Sequence, residues 1–86
     1  MKKIQLELPT KIWQDKNIKP EAKNVYLIIY AKGKDKPLVH INNGELQEFI
    51  KIKNVGLRKN LKLLEKNGYL HYIEYSPGMY DIYLQR

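Results

Sequence analysis

Residues 46–70 read LQEFIKIKNVGLRKNLKLLEKNGYL, and this stretch decides the fold. Within it, Leu57, Leu61 and Leu64 recur at i, i+4 and i+7, which is the spacing of one buried face of a helix. Asn54 suits the N-cap of that helix, because its side chain can accept a hydrogen bond from a backbone N–H of the first turn. The sequence therefore predicts an amphipathic helix that begins at Asn54 and has a polar outer face.

A shorter helix is predicted just upstream. Either Asn42 or Asn43 can cap it, and the spacing from Asn42 to Glu45 approximates a capping box. Its apolar face consists of Leu46, Phe49 and Ile50. Two helices joined by a tight turn are thus expected between residues 42 and 68.

The N-terminal part is predicted to form a strand and a short turn. Apolar residues alternate with polar ones in the strand: Ile4, Leu6 and Leu8. Pro9 ends it, and Thr10 caps a turn that runs through Ile12 to Trp13. We expect Trp13 to anchor this arm in the core.

A long helix and a short strand are predicted next. Pro20 and Glu21 suit the first turn of the helix, which stops near Gly33. Its buried face is formed by Ala22, Val25, Tyr26 and Ile29. Lys32, Lys34 and Lys36 then form either a solvated turn or a secondary phosphate contact, before a strand over Leu38–Ile41.

Residues 69–84 are predicted to form a β-hairpin. Strand-forming residues surround Ser76-Pro77-Gly78-Met79, where Pro and Gly suit the two central positions of a type II turn. In a two-residue turn register Glu74 lies opposite Asp81, and such a pair of like charges costs stability. Residues 72–85 contain no basic side chain, so phosphate neutralisation by the hairpin is not expected.

The hairpin is rich in tyrosine. Five of the seven tyrosines lie in the last eighteen residues: Tyr69, Tyr72, Tyr75, Tyr80 and Tyr83. Alternation along two strands cannot bury all five, and three interpretations stay open. Side chains near the turn pack into a minor groove as apolar contacts, namely Tyr75, Pro77, Met79 or Tyr80. Alternatively, the hairpin face forms a dimer interface, or tyrosine simply suits half-buried strands.

The stretch 46–70 resembles the helix-turn-helix and wing entry of winged-helix DNA-binding proteins. Ile52 matches the apolar residue of the turn, the three leucines match the core of the recognition helix, and Gly68 matches the glycine before the wing. Upstream, residues 8–13, 22–23 and Tyr26 resemble the opening of the N-terminal domain of plasmid replication initiators.

The resemblance covers nearly the whole chain and implies an α+β fold. The expected fold is a winged helix-turn-helix, a single DNA-binding domain over residues 1–86 with a three-helix core, an N-terminal strand and a C-terminal hairpin wing. Many wings of this family carry Arg or Lys at the tip, and this hairpin carries neither.

The candidate site lies on the helix that begins at Asn54. Six basic residues and one acidic residue, Glu65, fall between Lys51 and Lys66. In a helix-turn-helix the N-terminal part of the second helix enters the major groove, where Arg can bind guanine and Asn can bind adenine. We expect Arg58 and Asn54 to read bases, although Asn54 could serve only as a cap.

The remaining candidate contacts position the domain. Three lysines are expected to bind phosphates: Lys53, Lys59 and Lys62. Gly56 costs helix stability, which a close approach to the DNA backbone or to the preceding helix would explain. From the hairpin, the candidate DNA-binding residues are Tyr75, Ser76, Gly78 and Tyr80.

Composition favours a nucleic-acid partner. The formal net charge is +7, which favours polyanions, although 14 of the 16 basic residues are Lys and compositional bias alone could supply much of this charge. The chain has no Cys and only two His, and it contains no catalytic, phosphate-loop or metal-binding motif. We expect a cytoplasmic, non-enzymatic protein with no cofactor, small-molecule substrate or membrane partner.

The function expected from these residues and this resemblance is sequence-specific binding of double-stranded DNA. The resemblance implies an accessory factor of a plasmid or other mobile element, acting at an origin of conjugative transfer or replication. One such module covers little DNA, so a homodimer or several copies on repeated sites are expected. A transcriptional repressor of the same fold, or a protein-interaction module that uses the tyrosine-rich hairpin, are the alternatives.

Overall fold

A computed structural model describes residues 10–33 and 36–84. The helices are α1 (Thr10–Gln14), α2 (Pro20–Gly33), α3 (Asn43–Leu46) and α4 (Asn54–Lys66). The strands are β1 (Leu38–Asn42), β2 (Leu70–Ser76) and β3 (Met79–Leu84). The fold is therefore α+β. The predicted N-terminal strand and Lys34 lie outside the described residues. No helix in residues 10–33 and 36–84 is long and apolar enough to cross a membrane.

The strands form one antiparallel sheet in the order β1-β3-β2. The tight turn between β2 and β3 has φ of 79° at Gly78, as the predicted type II turn requires. Ser76 pairs with Met79, but Glu74 pairs with Tyr80, so Tyr75 is an extra residue in β2.

This bulge overturns the predicted pairing of Glu74 with Asp81. Asp81 instead lies opposite Ile73 on one side and His40 on the other, and its carboxylate contacts the imidazole of His40. The bulge therefore removes the expected repulsion. It also brings Glu74 beside Tyr80 in the register of the sheet.

A single apolar cluster holds the helices on one face of the sheet. The predicted buried faces of α2 and α4 are confirmed, since their members are at most 2% exposed: Ala22, Val25, Tyr26, Ile29, Leu57, Leu61 and Leu64. The inner face of the sheet supplies Val39, Ile41, Tyr80 and Ile82. This packing orients α4 with its leucines inward.

Two aromatic residues expected in the core lie outside it. Trp13 is 43% exposed, because Ile12 and Ile18 fill the core position of this arm and are only 2% exposed. Phe49 is 69% exposed, because α3 ends at Leu46 and Phe49 lies beyond the regular helix. The predicted cap of α3 is confirmed, since the Asn42 side chain accepts a 2.8 Å hydrogen bond from the N–H of Glu45.

Gly33 allows α2 to end against the sheet. A β-carbon at this position would overlap the Cγ2 atom of Val39. The residue is buried, so no side chain could turn away into solvent. Any larger residue would force the Val39 side chain to move, so glycine favours the close approach between α2 and β1.

Candidate nucleic-acid interface

The outer side of α4 carries a straight row of exposed side chains. Val55, Lys59, Lys62 and Lys66 follow one another at i, i+4, i+7 and i+11, which places them on one stripe of the helix. We call these four residues the basic ridge. The stripe lies opposite the buried leucines, so the core fixes the direction in which the ridge points.

The lysines around α4 have no acidic partners within the described part of the chain. Five exposed lysines lie on α4 or just before it: Lys51, Lys53, Lys59, Lys62 and Lys66. None of them forms an ion pair with any residue in the described ranges. Glu65, the one acidic residue of α4, is turned to the hairpin, where its carboxylate lies 2.7 Å from Nδ1 of His71 and accepts a 3.3 Å hydrogen bond from the N–H of Tyr72. Among the described residues, no ion pair therefore neutralises these five lysines.

Arg58 differs from these lysines because it is paired. Its Nε and Nη2 atoms donate hydrogen bonds of 2.8 and 2.9 Å to the two carboxylate oxygens of Glu74. The side chains are 47% and 21% exposed, respectively, so the pair lies at the surface with the carboxylate on its inner side. The guanidinium thus links α4 to β2 through a bidentate contact.

Glu74 is the centre of a small polar network. Besides Arg58, it accepts a 3.0 Å hydrogen bond from the N–H of Gly78 in the hairpin turn. The hydrogen bond from Arg58, followed by that from Gly78, lowers the pKa of Glu74 to about 2. Next to it, the hydroxyl of Tyr80 donates a 2.6 Å hydrogen bond to Oδ1 of Asn54. These contacts tie the hairpin to the first two turns of α4.

Replacing Glu74 with Gln should weaken the dependence of stability on acid pH. Since the folded-state pKa is lowered from 4.5 to about 2, ionised Glu74 stabilises the fold above about pH 4.5, and this contribution is lost as the pH falls towards 2. In thermal melts between pH 6 and pH 2, the Tm of the wild type should therefore fall further than the Tm of the Glu74→Gln variant. A smaller acid slope should remain in the variant, because the pKa values of Asp15 and Glu45 are lowered too. Parallel curves for the two proteins would contradict the role given to Glu74.

Tyr80 is not available to a partner. Its side chain is fully buried on the face of the sheet that packs against α4, and burial is the main reason why its pKa is raised. The expectation that Tyr80 contacts DNA or a dimer partner is therefore wrong. The reason is the alternation of β3, which places Tyr80 on the buried face with Ile82 and Leu84 and brings its hydroxyl to Asn54.

The other hairpin candidates are divided between two surfaces. Gly78 has partners for both of its backbone polar groups, since its carbonyl accepts a 2.9 Å hydrogen bond from the N–H of Asn43. Ser76 is half-buried. Tyr75 is exposed and lines a groove with His40, an outward-facing residue of β1, so it lies on the sheet face turned away from α4. The turn therefore packs on the start of α3 and does not project from the domain.

The start of α4 differs from its predicted form. The helix begins at Asn54 itself, and Lys53 occupies the cap position without a side-chain hydrogen bond. Asn54 is therefore not the N-cap, because its carbonyl oxygen is bound by Tyr80. Gly56 approaches the turn before α4 and not the preceding helix, since a β-carbon there would lie 3.2 Å from Cγ1 of Ile52.

Three residues of this surface escaped sequence reasoning. Val55, 61% exposed, begins the ridge, and Tyr72 faces it across a shallow groove of about 300 Å³. The groove is completed by Arg58, Lys59 and Lys62. For Glu74, the sequence predicts only repulsion from Asp81. The i+4 spacing from Val55 to Lys59 could have revealed the ridge, whereas the Glu74 contact depends on a bulge that no local pattern announces.

Residues 10–33 and 36–84 hold no cluster of three or more His, Asp or Glu side chains suited to a metal ion. Comparisons with known protein families, with curated proteins and with solved structures give no match to this chain. Any function of this site is therefore inferred from the geometry and charge of its own residues.

Proposed function

We propose that this chain is a winged helix-turn-helix protein that binds double-stranded DNA through α4. The order α2, β1, α3, α4 and hairpin, with β3 in the centre of the sheet, supports the fold expected from the resemblance. In this proposal α4 is the recognition helix and β2–β3 is the wing. The winged helix is the finer description of the α+β fold given above.

The observation that carries the proposal is the positive charge of α4. Five exposed lysines, which form no ion pair with any residue that the structure describes, lie on or just before a helix whose opposite face is fixed in the core. An α-helix with its side chains is about 10–12 Å wide and fits the major groove, which is about 12 Å wide. Cationic side chains along such a helix displace condensed counterions from phosphates, and this release drives binding.

The residues have different proposed roles. Lys53, Lys59 and Lys62 bind phosphates, and Arg58 reads a base at the front of the helix. Asn54 is less suited to reading adenine than the sequence predicts, because its side-chain carbonyl already accepts a hydrogen bond from the Tyr80 hydroxyl. Gly56 lets the helix lie close to the preceding turn.

The proposed setting follows from the resemblance and the composition. We place the protein in the cytoplasm as a non-enzymatic accessory factor of a plasmid or mobile element, acting at an origin of transfer or replication, in paired copies on repeated sites. A repressor of the same fold uses the same surface, and the DNA site would distinguish the two. The chain has no Cys, which suits a reducing compartment.

A protein-interaction module is the second candidate, and one observation favours it. The outer face of the sheet exposes four large apolar or aromatic side chains: Ile73, Tyr75, Met79 and Tyr83. Exposed apolar patches often mark protein interfaces. This candidate predicts that the lysines of α4 are dispensable.

Replacing Lys59 and Lys62 together with Gln should lower the affinity for duplex DNA by about 10- to 60-fold at 0.1 M salt. Counterion release contributes a factor of about 8 for each phosphate contact at this concentration. Fluorescence polarisation with a labelled duplex gives the two dissociation constants. The matched control is the Lys16→Gln, Lys19→Gln double variant, which loses the same charge from exposed positions between α1 and α2.

The control should bind nearly as well as the wild type. Equal losses in the two double variants would mean that only the net charge matters and that α4 is not the binding surface. Unchanged binding in both would favour the protein-interaction module.

A further inference from the structure

The pair of Arg58 and Glu74 leaves part of the guanidinium free. An arginine side chain has five N–H donors, and the contact with Glu74 uses one on Nε and one on Nη2. The remaining three lie on the two terminal nitrogens, and the guanidinium also interacts with the hydroxyl of the buried Tyr80. Those nitrogens form the fork that binds O6 and N7 of guanine in the major groove.

We propose that Glu74 is a specificity-determining positioning residue that holds Arg58 ready to bind guanine. The inference rests on the proposed function, since it assumes that α4 meets DNA. Glu74 itself contacts no base. It acts through Arg58, by fixing the inner edge of the guanidinium so that the outer edge faces solvent.

The carboxylate is held firmly enough to play this part. It is anchored by the N–H of Gly78 at 3.0 Å, and the bulge at Tyr75 sets its position opposite Tyr80. Below it, the fully buried Tyr80 and its bond to Asn54 support the hairpin against α4. An arginine held in this way has already lost the rotamer freedom that a free side chain loses on binding.

The sign of the charge argues for specificity and against general affinity. Glu74 places a negative charge beside a surface whose five lysines attract phosphate, so it weakens binding to every sequence. A residue that opposes non-specific binding while orienting a base contact raises the ratio between right and wrong sites. The Glu74→Gln change should therefore move the two affinities in opposite directions.

The experiment begins with the full chain and a library of random duplexes, from which the wild type selects its bound sequences. Dissociation constants are then measured for a selected duplex and for a random duplex of equal length. Glu74→Gln should bind the random duplex about 2- to 8-fold more tightly, the scale of one phosphate contact. Its preference for the selected duplex should fall about 5- to 30-fold, as expected for a weakened base contact.

Two further variants separate positioning from charge and from folding. Glu48→Gln removes the same charge from an exposed residue before α4 and should leave the preference unchanged. Glu74→Asp keeps the charge but shortens the side chain, so it should lower the preference without tightening random binding. In an Arg58→Gln background, Glu74→Gln should have no further effect on the preference. Thermal melts of every variant identify a temperature at which all of them are folded, and binding is measured at that temperature.

Several results would overturn the proposal. Equal changes of both affinities in Glu74→Gln, together with a lower Tm, would make the pair a structural brace only. A wild type that binds duplexes without selecting any common sequence would remove the specificity while leaving DNA binding in place. A wild type that binds no duplex at low salt would remove the proposed function as well.

Discussion

Tyr80→Ala should destabilise the fold by about 3–5 kcal/mol, the usual cost of removing a large aromatic side chain from a core. The ring is 0% exposed and lies in the central strand, where it packs near Tyr72 with a 6.2 Å separation of ring centroids. The change would also remove the 2.6 Å hydrogen bond to Asn54. Domains of this size are commonly stable by only about 5–15 kcal/mol, so the variant should unfold at a much lower urea concentration.

Two variants show whether the cavity or the hydroxyl matters. Tyr80→Phe keeps the ring and should cost only about 0.5–1.5 kcal/mol, the net value of one hydrogen bond. Tyr83→Ala changes the same strand on its exposed face and should cost under about 1 kcal/mol. If the Tyr80→Ala variant unfolded at the wild-type urea midpoint but bound DNA poorly, Tyr80 would be a DNA contact and not a buried core residue.

The parts of the fold that follow from local spacing were predicted well. The apolar positions of α2 and α4 repeat with the period of a helix, and burying such a face requires no knowledge of its partner. The cap at Asn42 and the turn at Gly78 depend on side-chain and backbone preferences within four residues. Each of these features is decided locally, so the sequence contains enough information.

The features that failed depend on residues far apart in the chain. The core of the arm before α2 is formed by Ile12 and Ile18, each 2% exposed, whereas Trp13 is 43% exposed. The bulge at Tyr75 changes which residues face inward for the rest of the hairpin, because the side chains of a strand alternate between its two faces. Asn54 does not cap α4, because its side-chain carbonyl accepts a hydrogen bond from Tyr80, 26 residues later in the chain.

The candidate site shows the same division. The exposure of Lys59 and Lys62 follows from the leucine spacing of α4 alone. The pairing of Arg58 with Glu74 spans 16 residues and requires the bulge, the turn and the packing of the hairpin on α4. A sequence can therefore show which side of this helix is basic, but the orientation of its single arginine is a property of the tertiary structure.

Binding to duplex DNA should weaken by about 40- to 500-fold when the salt concentration rises from 50 to 200 mM. The range follows from a slope of about 0.9 per phosphate contact in a plot of log affinity against log salt. Three contacts, from Lys53, Lys59 and Lys62, give the lower figure, and all five unpaired lysines near α4 give the upper one. Polarisation titrations at five salt concentrations and pH 7.5, where Glu74 is fully ionised, would measure the slope.

The slope also counts the contacts that α4 supplies. Replacing Lys59 and Lys62 with Gln should lower it by about 2, whereas the Lys16→Gln, Lys19→Gln control should leave it unchanged. A slope near zero for a wild type that still binds would mean that phosphates are not the ligands of the lysines. In that case the apolar outer face of the sheet, with Ile73 and Tyr83 exposed, would become the better candidate for the working surface.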